Sequence, residues 1–258
     1  MRWETIALAY VTYLALVAAS ARRFHRARAS TLAAAFAAWT VWAMARQAQR
    51  SMAIEILVPA ACLLAGYWLS GFFFVAQMTR VERWLLGVDE RVGLSRANCP
   101  RLLRDYFELA YVLVYAVVPA GAITLVLGGH ADDVPRFWSV VLLAEFVSYA
   151  MLPWVQTRPP RAIEAQPLVS TSSSLRRFNL AVLGRASIQA NTLPSGHAAG
   201  AMATALAVTS VMPAAGVVFL VLAISIAVAT VIGRYHYTVD SVLGVIVAVL
   251  AWYLLGLA

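Results

Sequence analysis

The chain has 258 residues, of which 62% are hydrophobic and only 12% are charged. Soluble domains average about 45–50% apolar and about 25% charged residues, so the composition excludes an ordinary soluble domain. All twenty basic residues are arginine, and the net charge is +8. The arginines lie in short loops between apolar tracts, which favours a role in membrane orientation over nucleic-acid binding. We therefore predict an integral membrane protein that does not bind nucleic acid.

Apolar tracts divide the chain into candidate membrane helices, each of which needs about 20 apolar residues to span a bilayer. The first tract has a poor signal-peptide n-region, since only Arg2 precedes it and Glu4 follows, so we interpret it as a membrane span. The second tract is short and alanine-rich, and an interfacial helix is its alternative. The pattern predicts an all-α polytopic membrane helix bundle. The tracts are 4–20, 31–46, 52–78, 105–128, 137–155, 197–212, 215–232 and 239–257.

The distribution of arginine predicts the orientation of the bundle. If all eight tracts span, the arginine-rich loops 21–30, 79–104 and 156–196 lie on one side, and Arg234 joins them. An excess of basic residues marks the cytoplasmic face. We predict a multi-pass protein of a bacterial-type inner membrane, with these loops in the cytoplasm.

Three polar clusters interrupt the apolar pattern in the second half of the chain, and the same topology places all three on one face. They are TRPPR at 157–161, NTLPSGH at 191–197 and GRYHYTVD at 233–240. In the second cluster, Ser195 and Gly196 open a predicted helix, whose free backbone N–H groups attract anions such as phosphate. The second cluster therefore predicts a phosphate site.

The third cluster places His236 and Asp240 four residues apart, on one face of a predicted helix. The carboxylate can fix the imidazole tautomer and leave the other nitrogen as a base or nucleophile. Arg158, Arg161 and Arg234 can bind phosphoryl oxygens in a bidentate way. Each cluster alone is also typical of a turn, a helix cap or an interfacial anchor; together they favour phosphoryl chemistry. We find no metal-ligand spacing and predict no cofactor.

Two acidic residues have plainer interpretations. Glu145 lies inside the span 137–155, where an acid is a functional candidate, but a helix–helix hydrogen bond is the favoured interpretation. Glu108 lies nearer a helix start and is expected at the membrane interface.

At these residues the sequence resembles the type 2 phosphatidic acid phosphatase superfamily. The family motif Pro-Ser-Gly-His matches in full at 194–197, and the His and Asp of its third motif match at His236 and Asp240. The Arg-Pro pair of its first motif matches at Arg158 and Pro159.

Two cations of the family pattern are replaced. Met151 stands at the lysine position of the first motif, and Thr230 stands at the arginine position of the third. Arg234 is the nearest substitute for the missing arginine. For the missing lysine, either Arg161 takes up the phosphate contact or the cluster has one cation fewer.

The resemblance implies a fold, a domain division and a mechanism. It implies a six-helix catalytic domain over residues 52–258, with residues 1–51 forming up to two additional N-terminal membrane segments. It implies that His236 attacks phosphorus and forms a phosphohistidine, that Asp240 orients it, and that His197 protonates the leaving oxygen. Phosphoryl oxygens would be bound by Arg158, Arg234, Ser195 and Gly196, without a metal, and the substrate would be a lipid phosphate or diphosphate.

Two alternatives stay open beside the lipid phosphatase. The stretch HYTVD resembles the sphingolipid-synthase branch, whose members transfer the phosphoryl head group to an alcohol, whereas LPSGH resembles the phosphatase branch. A transporter or membrane scaffold is the non-enzymatic alternative, although no inverted repeat is visible. The sequence does not indicate an oligomeric state.

Overall fold

The computed structural model describes residues 2–45, 51–93, 99–163 and 173–256. In these ranges the chain forms α-helices, three short 3₁₀ helices and no β-strand, which confirms the predicted all-α bundle. The α-helices in chain order are α1 (Trp3–Ser20), α2 (His25–Ala45), α3 (Met52–Gly71), α4 (Thr79–Val92), α5 (Arg101–Val112), α6 (Val114–Leu127), α7 (Val134–Ala150), α8 (Ser174–Ala186), α9 (Gly196–Val211), α10 (Pro213–Ile232) and α11 (Thr238–Gly256).

Fewer helices than the eight apolar tracts are long and apolar enough to cross a membrane. In the described part of the chain, α1, α3, α10 and α11 meet both conditions; α5 and α6 meet them only as a pair, bent by 57°, which forms either a broken span or a re-entrant loop. Helices α7 and α9 have 17 and 16 residues. At 1.5 Å per residue each is shorter than the ~30 Å hydrocarbon core. The chain is nevertheless a multi-pass membrane protein.

Helix α9 lies at the centre of the bundle, in contact with α6, α7, α10 and α11. Its sequence is dominated by alanine and glycine, and small side chains let neighbouring backbones approach closely. A Cβ at Gly196 would lie 2.6 Å from the Tyr149 ring and 2.7 Å from a Glu145 carboxylate oxygen. Glycine at this position therefore lets α7 pack against the start of α9.

The first helix packs into the same hydrophobic core as the second half of the chain. The Tyr10 ring stacks on Phe146 of α7 with centroids 4.2 Å apart, and the Trp3 indole donates to Glu55 of α3 at 2.9 Å. α1 therefore bears directly on α7 and α3. The predicted domain boundary at residue 52 stays a prediction.

Two helices lie in stretches where the hydropathy pattern predicts only loops. α4 occupies part of 79–104, and α8 occupies part of 156–196; residues 94–98 and 164–172 lie outside the described parts. Both helices are amphipathic and too polar to register as membrane tracts. α4 turns Glu82, Leu85 and Asp89 inward, so its buried face carries two carboxylates.

Candidate active site

A small cavity brings together the two histidines singled out by the sequence. The rings of His197 and His236 lie 5.5 Å apart, centroid to centroid. His197 comes from the first turn of α9, and His236 from the turn between α10 and α11. Arg161 lines the same cavity. The remaining wall is mainly aromatic and small: Tyr67, Tyr111, Tyr149, Leu183, Ser187, Ala190, Thr192 and Tyr235.

His236 faces Asp240 through its Nδ1 atom, which lies 3.5 Å from the Asp240 Oδ2 atom. That oxygen accepts hydrogen bonds from Asn191 Nδ2 at 2.8 Å and from the Tyr237 backbone N–H at 3.0 Å. Hydrogen bonds at catalytic histidines are often long in an empty site and shorten when substrate binds. With Nδ1 turned to the carboxylate, Nε2 is the nitrogen left for chemistry.

Backbone hydrogen bonds to Thr230, near the end of α10, hold the turn that carries His236. The Thr230 carbonyl oxygen accepts from the N–H groups of Tyr235 and His236, at 2.8 and 3.0 Å. Burial first, and the positive charge of Arg161 second, lowers the pKa of His236 to about 3. The imidazole is therefore neutral at physiological pH, which is the protonation state that a nucleophile requires.

The polar groups at the start of α9 form hydrogen bonds within the protein. The Ser195 hydroxyl caps the helix by accepting from the Ala198 N–H at 3.3 Å, and the Gly196 N–H donates to the Thr192 hydroxyl at 3.3 Å. Ser195 is fully buried. Neither Ser195 nor Gly196 lines the cavity, so their predicted contacts with phosphate stay a prediction.

Of the three arginines predicted to bind phosphate, only Arg161 lines the cavity. Its backbone N–H donates to the Arg234 carbonyl at 3.0 Å, and its guanidinium donates to the Tyr235 carbonyl at 3.3 Å. No carboxylate in the described part of the chain pairs with it. Arg161 is therefore the cation that is placed to meet an anion beside the two histidines.

Arg158 and Arg234 instead pair with the two inward carboxylates of α4. Arg158 makes a bidentate pair with Glu82 at 2.9 and 3.1 Å, and a third bond joins its backbone N–H to the same carboxylate. Arg234 donates to Asp89 at 2.7 Å, and Asp89 also accepts from the Thr238 N–H at the start of α11. These pairs fix the loops that carry Arg158 and Arg234.

The Asp89→Ala variant is expected to lose about 3 kcal/mol of unfolding free energy, because it leaves the nearly buried Arg234 without this partner and removes a bond to α11. Thermal unfolding in detergent measures the loss. The matched control is Glu90→Ala, an exposed acid next to it on α4, which should change the midpoint little. Equal midpoints for the two variants would show that the Asp89 pair contributes nothing to stability.

A second buried network lies behind the cavity and has no counterpart in the sequence motifs. Glu108 accepts from Arg176 at 3.2 Å, from Asn179 at 2.7 Å and from the Tyr235 hydroxyl at 2.6 Å. Glu108 is 1% exposed and is therefore buried within the protein; its predicted position at the membrane interface stays a prediction. The sequence did carry periodic signals for the buried polar faces of α4 and α8. These signals were two acids seven residues apart on α4, and Arg176 and Asn179 three residues apart on α8. The network ties α8 to α5 beside the cavity.

The Tyr111 ring lies between His197 and Tyr235, the residue that precedes His236. It stacks on Tyr235 with centroids 3.6 Å apart, and its hydroxyl lies 3.2 Å from the Nε2 atom of His197. Glu145 of α7 is buried against Gly196 and Gly200 of α9 and is hydrogen-bonded to Tyr149 of its own helix. Glu145 therefore packs against the helix that carries His197, whereas the favoured helix–helix hydrogen bond stays a prediction.

Comparison with known proteins identifies the family. No curated protein and no solved structure matches the chain. A family model described as the PAP2 superfamily matches residues 76–254, which is more than half of the chain and includes both histidines, Asp240 and the three arginines. The match starts after α3 and does not separate the phosphatase branch from the sphingolipid-synthase branch. On this match, and with the motifs at 194–197 and 236–240 gathered around one cavity, the chain belongs to the PAP2 superfamily.

Proposed function

We propose that the chain is a membrane lipid phosphatase that hydrolyses a lipid phosphate or diphosphate through a phosphohistidine. The observation that carries the proposal is the pair of histidines, 5.5 Å apart, in one cavity with Arg161. Two imidazoles are needed because one attacks phosphorus while the other moves protons. Membership of the PAP2 superfamily supports phosphatase-type chemistry, and the apolar helices support a substrate drawn from the bilayer.

In the first step His236 Nε2 attacks phosphorus, and the bond from phosphorus to the leaving oxygen breaks. Asp240, beside Nδ1, stabilises the positive charge that forms on the ring. Arg161 binds the phosphoryl oxygens, where charge develops in the transition state. His197, which takes up a proton when the phosphoryl anion binds beside it, gives that proton to the leaving oxygen, which departs as the lipid alcohol.

In the second step His197, now neutral, takes a proton from water, and the water oxygen attacks phosphorus. The bond from phosphorus to Nε2 of His236 breaks, which releases inorganic phosphate and restores the free imidazole. The two steps use His197 first as an acid and then as a base, as microscopic reversibility requires for a covalent intermediate. The chain's own residues supply every proton transfer.

Purified protein in detergent tests the proposal with a panel of lipid phosphates: phosphatidic acid, phosphatidylglycerol phosphate, a polyprenyl diphosphate and a sphingolipid phosphate. We expect phosphate release from at least one member without any added alcohol. Consumption of a member only when an acceptor alcohol is added, with its phosphoryl group recovered on that alcohol as a new phosphomonoester and no inorganic phosphate released, would instead identify a phosphotransferase. No turnover of any member in either condition would favour a transporter or scaffold.

A phosphotransferase is the second candidate function, because the stretch HYTVD at 236–240 resembles the sphingolipid-synthase branch. The cavity supports either acceptor, since an alcohol and water present the same hydroxyl group to His197. The choice depends on whether an alcohol can occupy the cavity beside the phosphohistidine. The two-condition assay measures this directly.

We also propose that the cavity opens toward the cytoplasm, following the arginine-rich loops. Exposed Ser174, at the start of α8, lies in one of these loops. In a chain whose Cys62 and Cys99 are replaced by serine, Ser174→Cys should resist a membrane-impermeant thiol reagent in intact cells and react after permeabilisation. Labelling in intact cells would place this loop, and the cavity, on the outer face.

A further inference from the structure

We propose that Tyr111 is a positioning residue that holds His197 for proton transfer in both half-reactions. This inference rests on the proposed function. Tyr111 lies at the end of α5 and belongs to none of the three polar clusters. Its role is argued from its contacts with His197 on one side and with Tyr235 on the other.

The Tyr111 hydroxyl is within hydrogen-bond distance of His197, at 3.2 Å from Nε2. The two rings are also in contact, with centroids 5.5 Å apart. Tyr111 is 1% exposed, and it lines the cavity together with both histidines. The hydroxyl has a second partner in Tyr115, the next tyrosine along the chain. Tyr111 is therefore a buried phenol with His197 on one side and a further hydroxyl on the other.

A phenol suits this position because its oxygen can accept a hydrogen bond from an imidazole N–H. Tyr111 accepts from the Nε2–H of His197 both when the ring is an imidazolium and when it is neutral. Nε2 therefore keeps its proton throughout the proposed cycle, and Nδ1 is the atom that gives the proton to the leaving oxygen and later takes one from water. Phenylalanine has the same ring and contacts but cannot accept this hydrogen bond, so it fixes neither the tautomer nor the orientation of His197.

The position of Tyr111 is itself fixed by the neighbour of the nucleophile. Tyr111 and Tyr235 stack with their planes 14° apart, and the Tyr235 hydroxyl donates to Glu108 at 2.6 Å. Tyr235 immediately precedes His236. One stacked pair therefore sets the spacing between the acid–base histidine and the nucleophile, and the buried Glu108–Arg176 pair supports that stack.

The test separates chemistry that needs an acid from chemistry that does not. An alkoxide must be protonated as it leaves, whereas a nitrophenolate leaves without a proton. In Tyr111→Phe, phosphoenzyme formation from phosphatidic acid should slow about tenfold or more, a part of the ~10²–10⁴ that general acid–base catalysis supplies. Formation from p-nitrophenyl phosphate should stay within about twofold. Rapid-quench single turnovers measure both rates.

The matched control is Tyr106→Phe, on the same helix, which removes a hydroxyl bonded to Ser225 and not to a histidine. It should leave both rates close to wild type. Equal slowing of the two substrates by Tyr111→Phe, or no slowing of either, would overturn the positioning role. Absence of any phosphoenzyme in the wild-type protein with either substrate would instead defeat the proposed function.

If Tyr111→Phe does not accumulate as a folded protein, 3,5-difluorotyrosine at position 111 takes its place. This residue keeps the ring and the hydroxyl but makes the phenol more acidic. The pH profile of phosphoenzyme formation from phosphatidic acid should then shift, while that from p-nitrophenyl phosphate should not. Superimposable profiles for the two proteins with phosphatidic acid would refute the role.

Discussion

The His236→Ala variant is expected to lose at least about 10³-fold of phosphate release, because no other group takes over the attack on phosphorus. Labelled phosphate in a single turnover should appear on the wild-type protein as an acid-labile, base-stable adduct. In His236→Ala the adduct should be absent. The alanine removes a mostly buried ring from a turn whose backbone is held by Thr230, so the fold should persist.

Two further variants complete this experiment. His130→Ala removes a histidine outside the cavity and should behave like wild type. His197→Ala should still form the adduct from p-nitrophenyl phosphate but hydrolyse it slowly, because the base for water is missing. An adduct in His236→Ala, or full activity without it, would reassign the nucleophile.

Arg161→Gln is expected to lower kcat/KM by about 10²–10³-fold, as removal of one transition-state donor does in other enzymes. Arg158→Gln and Arg234→Gln should lose less activity, and lose it mainly through reduced stability, since both side chains are paired with α4 carboxylates. Arg185→Gln, an exposed arginine of α8, is the control and should stay within about twofold. A folded Arg158→Gln or Arg234→Gln protein less active than Arg161→Gln would move the phosphate site to that arginine.

Arg161→Gln is also expected to change the pH dependence of activity. In the proposed mechanism His236 acts as the neutral imidazole, so activity should fall as the pH drops through its pKa. Burial lowers that pKa to about 3, with the positive charge of Arg161 as the second cause. Removal of the charge raises the pKa, and the acid limb of kcat/KM should move to higher pH while staying below the ordinary histidine value of about 6.5. Profiles corrected for the ionisation of the substrate test this, and an unmoved or downward-shifted limb would contradict it.

The sequence was sufficient for the all-helical membrane class because the bilayer imposes a composition that any long apolar tract displays. It could not show the break of 105–128 into α5 and α6: α5 is amphipathic and α6 is apolar, but the hydropathy pattern does not mark the point at which the chain bends by 57°. It also missed α4 and α8. These are short amphipathic helices whose stability comes from the surface they cover, and hydropathy alone does not reveal that surface.

The site divides along the same line. His236 and Asp240 were predictable because they lie four residues apart in one polar cluster, although His236 lies in the turn before α11 and not on the helix as predicted. The helix start that places His197 was predictable too. The choice of Arg161 over Arg234 was not, because it depends on Asp89, about 145 residues away in sequence. Tyr111 lies 86 residues from His197, and an isolated tyrosine in an apolar tract carries no signal.

The two carboxylates of α4 have a consequence for turnover. Glu82 and Asp89 each offset one arginine, and among the residues that the structure describes Arg161 is the one fixed positive charge that lines the cavity. Inorganic phosphate carries between one and two negative charges near neutral pH, so a single guanidinium holds the dianion less firmly than three would. Under the proposed function, we expect this to limit product inhibition: the phosphate formed in the second step should be released readily, and free phosphate in solution should compete poorly with a substrate that also binds through its lipid chains.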